Sequence, residues 1–157
     1  LGRTCVHTTN TLTISQSPVK PTNLTMSTSG TSGLPSVYQK LYEAQTKVIE
    51  EIAEREPCII VGRCADYILR NREDALHVFI HADNEHRSVH LLEKYGPTDK
   101  TTAQRIKDKD SRRRNYYRFH TDREWGVCTN YHLTLDSGFL GEQACIDIIC
   151  RAMESDS

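Results

Sequence analysis

The sequence predicts an α/β fold, a three-layer α/β/α arrangement on a parallel sheet, from three observations. Cys58-Ile59-Ile60-Val61 and Leu76-His77-Val78-Phe79-Ile80-His81-Ala82 are short apolar runs of the kind that form buried parallel strands. Segments of helical period flank and separate them. The first run ends in Gly62-Arg63, and in open α/β sheets ligands sit beyond the carboxyl ends of the strands, which places Arg63 at a binding edge.

In chain order, residues 1–36 are dominated by Ser and Thr with scattered Pro and Gly. Such a segment buries too little apolar surface to offset its ordering entropy, so it reads as mostly disordered, with the α/β domain occupying residues 37–157. Thr11-Leu12-Thr13-Ile14-Ser15 alternates as a short strand does, although a threonine-rich tail with two chance aliphatics is the favoured reading. Over residues 37–56, Leu41, Val48, Ile49, Ile52 and Ala53 recur at helical spacing, and Pro57 ends that helix. Residues 64–69 suit a short helix and 76–82 a second strand. Asp83 or Asn84 caps a helix running to about Tyr95, where Gly96-Pro97 stops it. Thr101 and Gln104 form a capping box for a basic helix carrying Arg105, Lys109, Arg112, Arg113, Arg114, Tyr116 and Tyr117. That helix has no clean apolar stripe, which predicts an exposed or mobile element. A third strand over 130–138 and a last helix over 141–153, burying Ile146, Ile149, Cys150 and Met153, complete the alternation.

A length of 157 residues suits one domain, and 20 basic against 21 acidic residues leave no bulk electrostatic case for nucleic acid or a membrane surface. No apolar run approaches the roughly 20 residues that cross a bilayer, and the start of the chain lacks the order of a secretory signal, so a soluble cytoplasmic protein is expected. The six cysteines contain no CxxC pair and read as free thiols. His86 and His90 are four apart, but no acidic partner completes a metalloenzyme pattern, and a solvated helix face is expected instead.

The chemistry that remains is that of arginine. Arg63, Arg87 and the arginines of the basic helix are isolated in sequence, yet the alternation of elements can bring them to one sheet edge. Converging guanidinium groups bind phosphate oxygens bidentately and neutralise charge on a transferring phosphoryl group. Surface ion pairs with Asp and Glu are the competing use of the same residues.

Several pieces together resemble a known family: Ile59-Ile60-Val61-Gly62-Arg63-Cys64-Ala65-Asp66-Tyr67-Ile68-Leu69; Val78-Phe79-Ile80-His81-Ala82 with Arg87; Asp110-x-x-Arg113-x-x-Tyr116-Tyr117; Trp125-Gly126; Asn130-Tyr131-x-Leu133; and Ser137-x-x-Leu140-Gly141. In this order and spacing the chain, from about Tyr38 to Met153, resembles the cytidylate kinase-like family of P-loop proteins. The resemblance implies a nucleoside monophosphate kinase fold, with ATP as phosphoryl donor, magnesium, and a nucleoside monophosphate such as CMP as acceptor. It further implies that Arg63, Asp66, Arg87 and Asp110 hold the acceptor, and that Lys109, Arg112 and Arg113 act on the donor phosphates from a lid. Asp136 and Ser137 would lie near the donor base.

The departure from that pattern is the glycine-rich loop that cradles donor phosphates between the first strand and first helix. Gly30-Thr31-Ser32-Gly33 follows no apolar strand and leads into no Gly-Lys-Ser. In that fold the loop's strand lies between the two apolar runs, and without it they face each other across roughly 9 to 10 Å, too far for hydrogen bonds. Either residues 11–15 fill the slot or the chain is a fragment with a missing or altered start, and the second is the expectation. Phosphoryl transfer is then expected only if a P-loop is supplied. The alternatives are a catalytically dead nucleotide-binding or scaffold protein, and a nucleic-acid-binding module using Lys107, Lys109, Arg112, Arg113, Arg114 and Tyr116.

Overall fold

The computed structural model describes residues 10–15 and 37–154. The disorder expected over the rest of residues 1–36, and the weak phosphate-cradle candidate at Gly30-Thr31-Ser32-Gly33, lie outside the described residues. Four strands form one sheet: β1 (Asn10–Ser15), β2 (Cys58–Val61), β3 (Ala75–His81) and β4 (Leu133–Asp136), in the order β2-β1-β3-β4.

β1 fills the slot between β2 and β3, which corrects two expectations at once. The threonine-rich segment is a central strand rather than a tail, and the two apolar runs do not face an empty gap. The sheet is also mixed rather than wholly parallel. β3 and β4 are parallel, and β2 runs the same way, but β1 is antiparallel to both of its neighbours. Two like-directed strands leave facing rows of N–H and C=O groups that a strand of either direction can satisfy, and the antiparallel ladder is slightly the more stable per residue.

The alternation of β1 explains how a polar sequence can occupy the middle of a sheet. Leu12 joins Val78, Ile80 and Leu135 in the apolar layer under helix α6 (Glu142–Glu154), with Ile14 packed against it. Thr11, Thr13 and Ser15 are buried on the opposite face. Thr13 Oγ1 lies 3.3 Å from His77 Nδ1, and the Ser15 hydroxyl, 3.3 Å from both the Arg72 guanidinium and an Asp74 oxygen, accepts from the first and donates to the second. β-branched threonine suits a pleated strand, and a hydroxyl with a partner buries at small cost.

On the second face, Ile49 and Ala53 of α1 (Val37–Arg55) pack with Ala65 and Leu69 of the short α2 region (Ala65–Ile68) and with Ala75. Leu41 lies in the first turns of α1, before the part that packs in the core, and Val48 is turned aside from the neighbouring buried Ile49, so both are exposed although the sequence grouped them with the core residues. β2 is an outer strand, and α6 packs over β1, β3 and β4 without reaching it. Ile59 and Val61 are therefore exposed, where burial on both faces was expected. The buried stripe of α6 is Cys145 and Ile149, and Ile146 and Cys150 face outward.

The remaining helices start and stop where local chemistry directs. Asp83 caps α3 (Asn84–Tyr95) by accepting the His86 N–H at 2.8 Å, and Gly96 ends it with φ 67°. Both halves of the Thr101–Gln104 capping box form at the start of α4 (Thr102–Thr121). The last strand is shorter than the 130–138 expected, because Asp136 accepts the N–H groups of Gly138 and Phe139 and opens α5 (Ser137–Leu140). No described helix is long and apolar enough to cross a membrane.

α4 is docked rather than free. Ile106, Asp110, Tyr117 and Thr121 form its buried line, and three of the four are polar. Each polar member has a partner: Asp110 takes Arg87 and Arg113, Tyr117 donates to Asp66, and Thr121 donates to the Tyr117 carbonyl at 2.7 Å. A helix without an apolar stripe can thus be buried through satisfied polar contacts.

Candidate functional site

The chain leaves β2 through three consecutive left-handed residues, Gly62, Arg63 and Cys64, with φ of 70°, 58° and 57°. The Gly62 N–H donates to the Thr11 carbonyl at 2.8 Å, and the Ala65 N–H returns to the Gly62 carbonyl at 3.1 Å to start α2. The conformation suits glycine but costs a side-chain-bearing residue roughly 1 to 2 kcal/mol each at Arg63 and Cys64. The Gln45 amide donates to the Arg63 carbonyl at 3.1 Å and also bonds the Tyr116 hydroxyl, tying this strained turn to α1 and α4.

This turn forms one wall of a narrow cleft of about 70 Å³, at the carboxyl end of β2 beside the start of β1. Thr11, Arg63, Asp66, Arg113, Tyr117 and Trp125 line it. The Arg63 guanidinium is exposed and has no ion pair or hydrogen bond among the described residues. Arg113 lies over the Trp125 ring at 5.9 Å and donates to Asp110 at 3.1 Å.

Across the cleft floor, the Tyr117 hydroxyl donates to one buried Asp66 oxygen at 2.7 Å. Burial is the main cause that raises the Asp66 carboxyl above the ordinary range, against the opposing pull of the Tyr117 hydroxyl and nearby backbone N–H groups. Burial first, and then the charge of Asp66, pushes the Tyr117 phenol upward, so Tyr117 remains a neutral donor. As pH rises from about 4, the unfolded chain gives up its Asp66 proton before the folded one does, and this destabilises the fold. Asp66→Asn is therefore expected to be more stable than the parent at pH 7. Its amide would donate to the Tyr117 oxygen while its carbonyl takes the backbone N–H groups. Denaturant unfolding from pH 7 to pH 3.5 should show the two proteins converging in acid, and a parent that is the more stable at pH 7 would refute the argument.

The residues singled out in the sequence divide into three groups. Arg63, Asp66 and Arg113 share the cleft. Arg87 and Asp110 lie behind it, where one Asp110 oxygen accepts from Arg87 at 2.8 Å and from Arg113 at 3.1 Å. The others stand apart: Lys109 sits 4.6 Å over the Tyr95 ring, Arg112 faces a groove between α1 and α4, Asp136 caps α5, and the buried Ser137 donates to the His81 carbonyl at 3.0 Å. Thr11, Gln45, Tyr117 and Trp125 were not singled out as site residues. Tyr117 could have been found, because it falls four residues after Arg113 and seven after Asp110 on one helix face; Gln45 carries no such signal.

Among the described residues no strand is followed by a glycine-rich loop of the kind that cradles a triphosphate. β1 starts at the cleft and ends at Ser15, opposite the first residues of β2 and β3. No group of three or more His, Cys, Asp or Glu side chains that could hold a metal stands among the described residues.

Comparison with known proteins adds the following. The model of the cytidylate kinase-like family matches residues 15–138. A crystal structure of an uncharacterized protein from Eubacterium ventriosum is similar at a TM-score of 0.71 and 27% identity, covering 76% of this chain and 68% of that one. No curated protein matches.

Proposed function

This chain belongs to the cytidylate kinase-like family, and we propose that it binds a nucleoside monophosphate such as CMP by its phosphate, between Arg63 and Arg113. The observation that carries this reading is the unpaired guanidinium of Arg63, held on a strained turn at the strand edge opposite a second arginine. Strain of this kind persists where the surrounding structure over-determines it, and it clusters at ligand clamps. The cleft is of a size for a phosphate group, and guanidinium groups on two of its walls can bind phosphate oxygens in charge-assisted pairs. The Asp66–Tyr117 bond joins α2 to α4 and so fixes the separation of the two arginines, while Asp110 holds Arg113 in position from behind.

The reading makes the chain the acceptor half of a nucleoside monophosphate kinase. With no glycine-rich phosphate loop among the described residues, transfer from magnesium ATP is not expected of them alone, and a nucleotide-binding protein without transferase activity is the form this proposal takes. Calorimetric titration with CMP, and separately with magnesium ATP, tests it. CMP is expected to bind without ATP, and Arg63→Ala to weaken it by roughly 10- to 100-fold while the unfolding curve stays in place. Unchanged affinity in that variant would remove Arg63 from the site, and tight binding of ATP alone would overturn the acceptor-only reading.

A further inference from the structure

The two edges of the sheet differ. β4, at one edge, shows Thr134 to solvent and keeps Leu135 buried. β2, at the other, shows Ile59 and Val61 at 64% and 41% exposure, and it carries no charged side chain, proline or bulge. Those are the devices by which edge strands avoid pairing with other chains, so β2 is an open template for a further strand.

Backbone alternation fixes which groups β2 offers. The Gly62 N–H bonds the Thr11 carbonyl, and the register sets Leu12 against Val61 and Thr13 against Ile60. In an antiparallel ladder, alternate residues turn both N–H and C=O to the same neighbour. Cys58, Ile60 and Gly62 therefore face β1, while Ile59 and Val61 turn their backbone groups outward, with no strand beyond them among the described residues. The same two residues carry the exposed apolar side chains, on the face that α6 leaves bare.

We propose that β2 is a dimerisation edge, at which a second copy of this chain adds its own β2 antiparallel and continues the sheet across a two-fold axis at Ile60. Residues that bond must both point outward, and rotation about the sheet normal keeps each side chain on its own face. Ile59 then pairs with Val61 of the second copy, and Val61 with its Ile59. Each pair exchanges both hydrogen bonds and closes an Ile–Val contact on the bare face, while Ile60 opposes its own counterpart on the other. Moving the axis to Ile59 would set Pro57, which lacks an N–H, against Val61; moving it to Val61 would set Ile59 against Arg63 in the left-handed turn. Charge favours the antiparallel mode as well. It brings Glu56, just before each β2, to the carboxyl end of the other, where the turn carries Arg63; both are exposed, and neither has an ion pair among the described residues. A strand of 4 residues covers well below the roughly 800 Å² per partner of a standard stable interface, so the dimer forms and dissociates with concentration.

Sedimentation velocity of the full chain without added nucleotide, from about 1 to about 200 µM, tests this. The average mass is expected to rise from monomer towards dimer across that range. Ile59→Lys, at an exposed position, is expected to hold the mass at the monomer, and Ile59→Thr, which stays β-branched, to weaken association about tenfold, because each change enters a two-fold interface twice. Ile60→Cys is expected to cross-link to its own counterpart on mild oxidation, with the linked peptide identified by mass spectrometry, since opposed residues of a non-hydrogen-bonded pair lie about 4.5 Å apart at Cα, within disulfide range. The proposal is overturned by a parent that stays monomeric throughout, by a dimer that Ile59→Lys leaves intact, or by a dimer with no cross-link at position 60. A monomeric parent whose stability falls in Ile59→Lys would give the edge to a segment of its own chain instead.

Discussion

Asp110→Ala is expected to destabilise the fold by about 3 to 5 kcal/mol. One carboxylate oxygen accepts from Arg87 at 2.8 Å and from Arg113 at 3.1 Å, and the side chains of Arg87 and Asp110 are each only 12% exposed. Truncating the carboxylate leaves the buried Arg87 guanidinium with no counter-charge, and that desolvation cost, rather than the lost attraction, sets the size of the effect. For a chain of this length the thermal midpoint should fall by roughly 10 °C. The double variant Arg87→Met with Asp110→Leu separates the two contributions, because replacing both charges by apolar groups of similar volume should recover most of the loss. A small effect in Asp110→Ala, or no recovery in the double variant, would show that the pair is not a buried charge problem. Asp110 also positions Arg113, so the double variant should remain deficient in CMP binding even where its stability has returned.

That result bears on why the sequence was readable in some places and not in others. Signals that depend on a few adjacent residues were legible: the Asp83 cap, the Gly96 stop, the Thr101–Gln104 box and the apolar runs of β2 and β3 all stand where local chemistry puts them. The arginine at the end of β2 was legible for the same reason, since strand, glycine and arginine are contiguous. Features set by long-range partners were not. The α4 face carrying Asp110, Arg113 and Tyr117 looks like a solvated surface until Arg87 and Asp66, 23 and 51 residues away, supply its hydrogen bonds. β1 is the clearest case: Thr13 and Ser15 read as a polar tail because the groups that satisfy them, His77, Arg72 and Asp74, lie about 60 residues downstream. Strand direction is less legible still, because alternation is the same read forwards or backwards.

The buried polar face of β1 leads to the second large effect, a loss of stability in mild acid. His77 is 3% exposed, beside Thr13 and stacked on His132 with ring centres 4.8 Å apart. Its backbone N–H donates to His132 Nδ1 at 3.1 Å, and its Nε2 has no hydrogen-bond partner of ordinary geometry, with the Leu69 backbone nearby. Burial, and secondarily the neighbouring His132, bring its pKa down to about 4. The neutral ring is the form that the fold accepts. As pH falls, the unfolded chain takes up the proton near 6.5 and the folded one only near 4, so the contribution of His77 is complete above about 6.5 and is lost on the way down to about 4. That interval corresponds to roughly 3 kcal/mol. Asp66 acts in the opposite sense, since its raised carboxyl penalises the fold as pH rises, and the two slopes partly cancel in the parent protein. The Asp66→Asn background removes the opposing slope, and there the unfolding free energy is expected to fall by about 3 kcal/mol between pH 7 and pH 4. His77→Gln in the same background should flatten the profile, and the His77 ring signal should titrate near pH 4 by NMR. A midpoint near 6.5, or an unchanged slope without His77, would transfer the acid sensitivity to another group and leave the histidine between β1 and β4 as a packing residue alone.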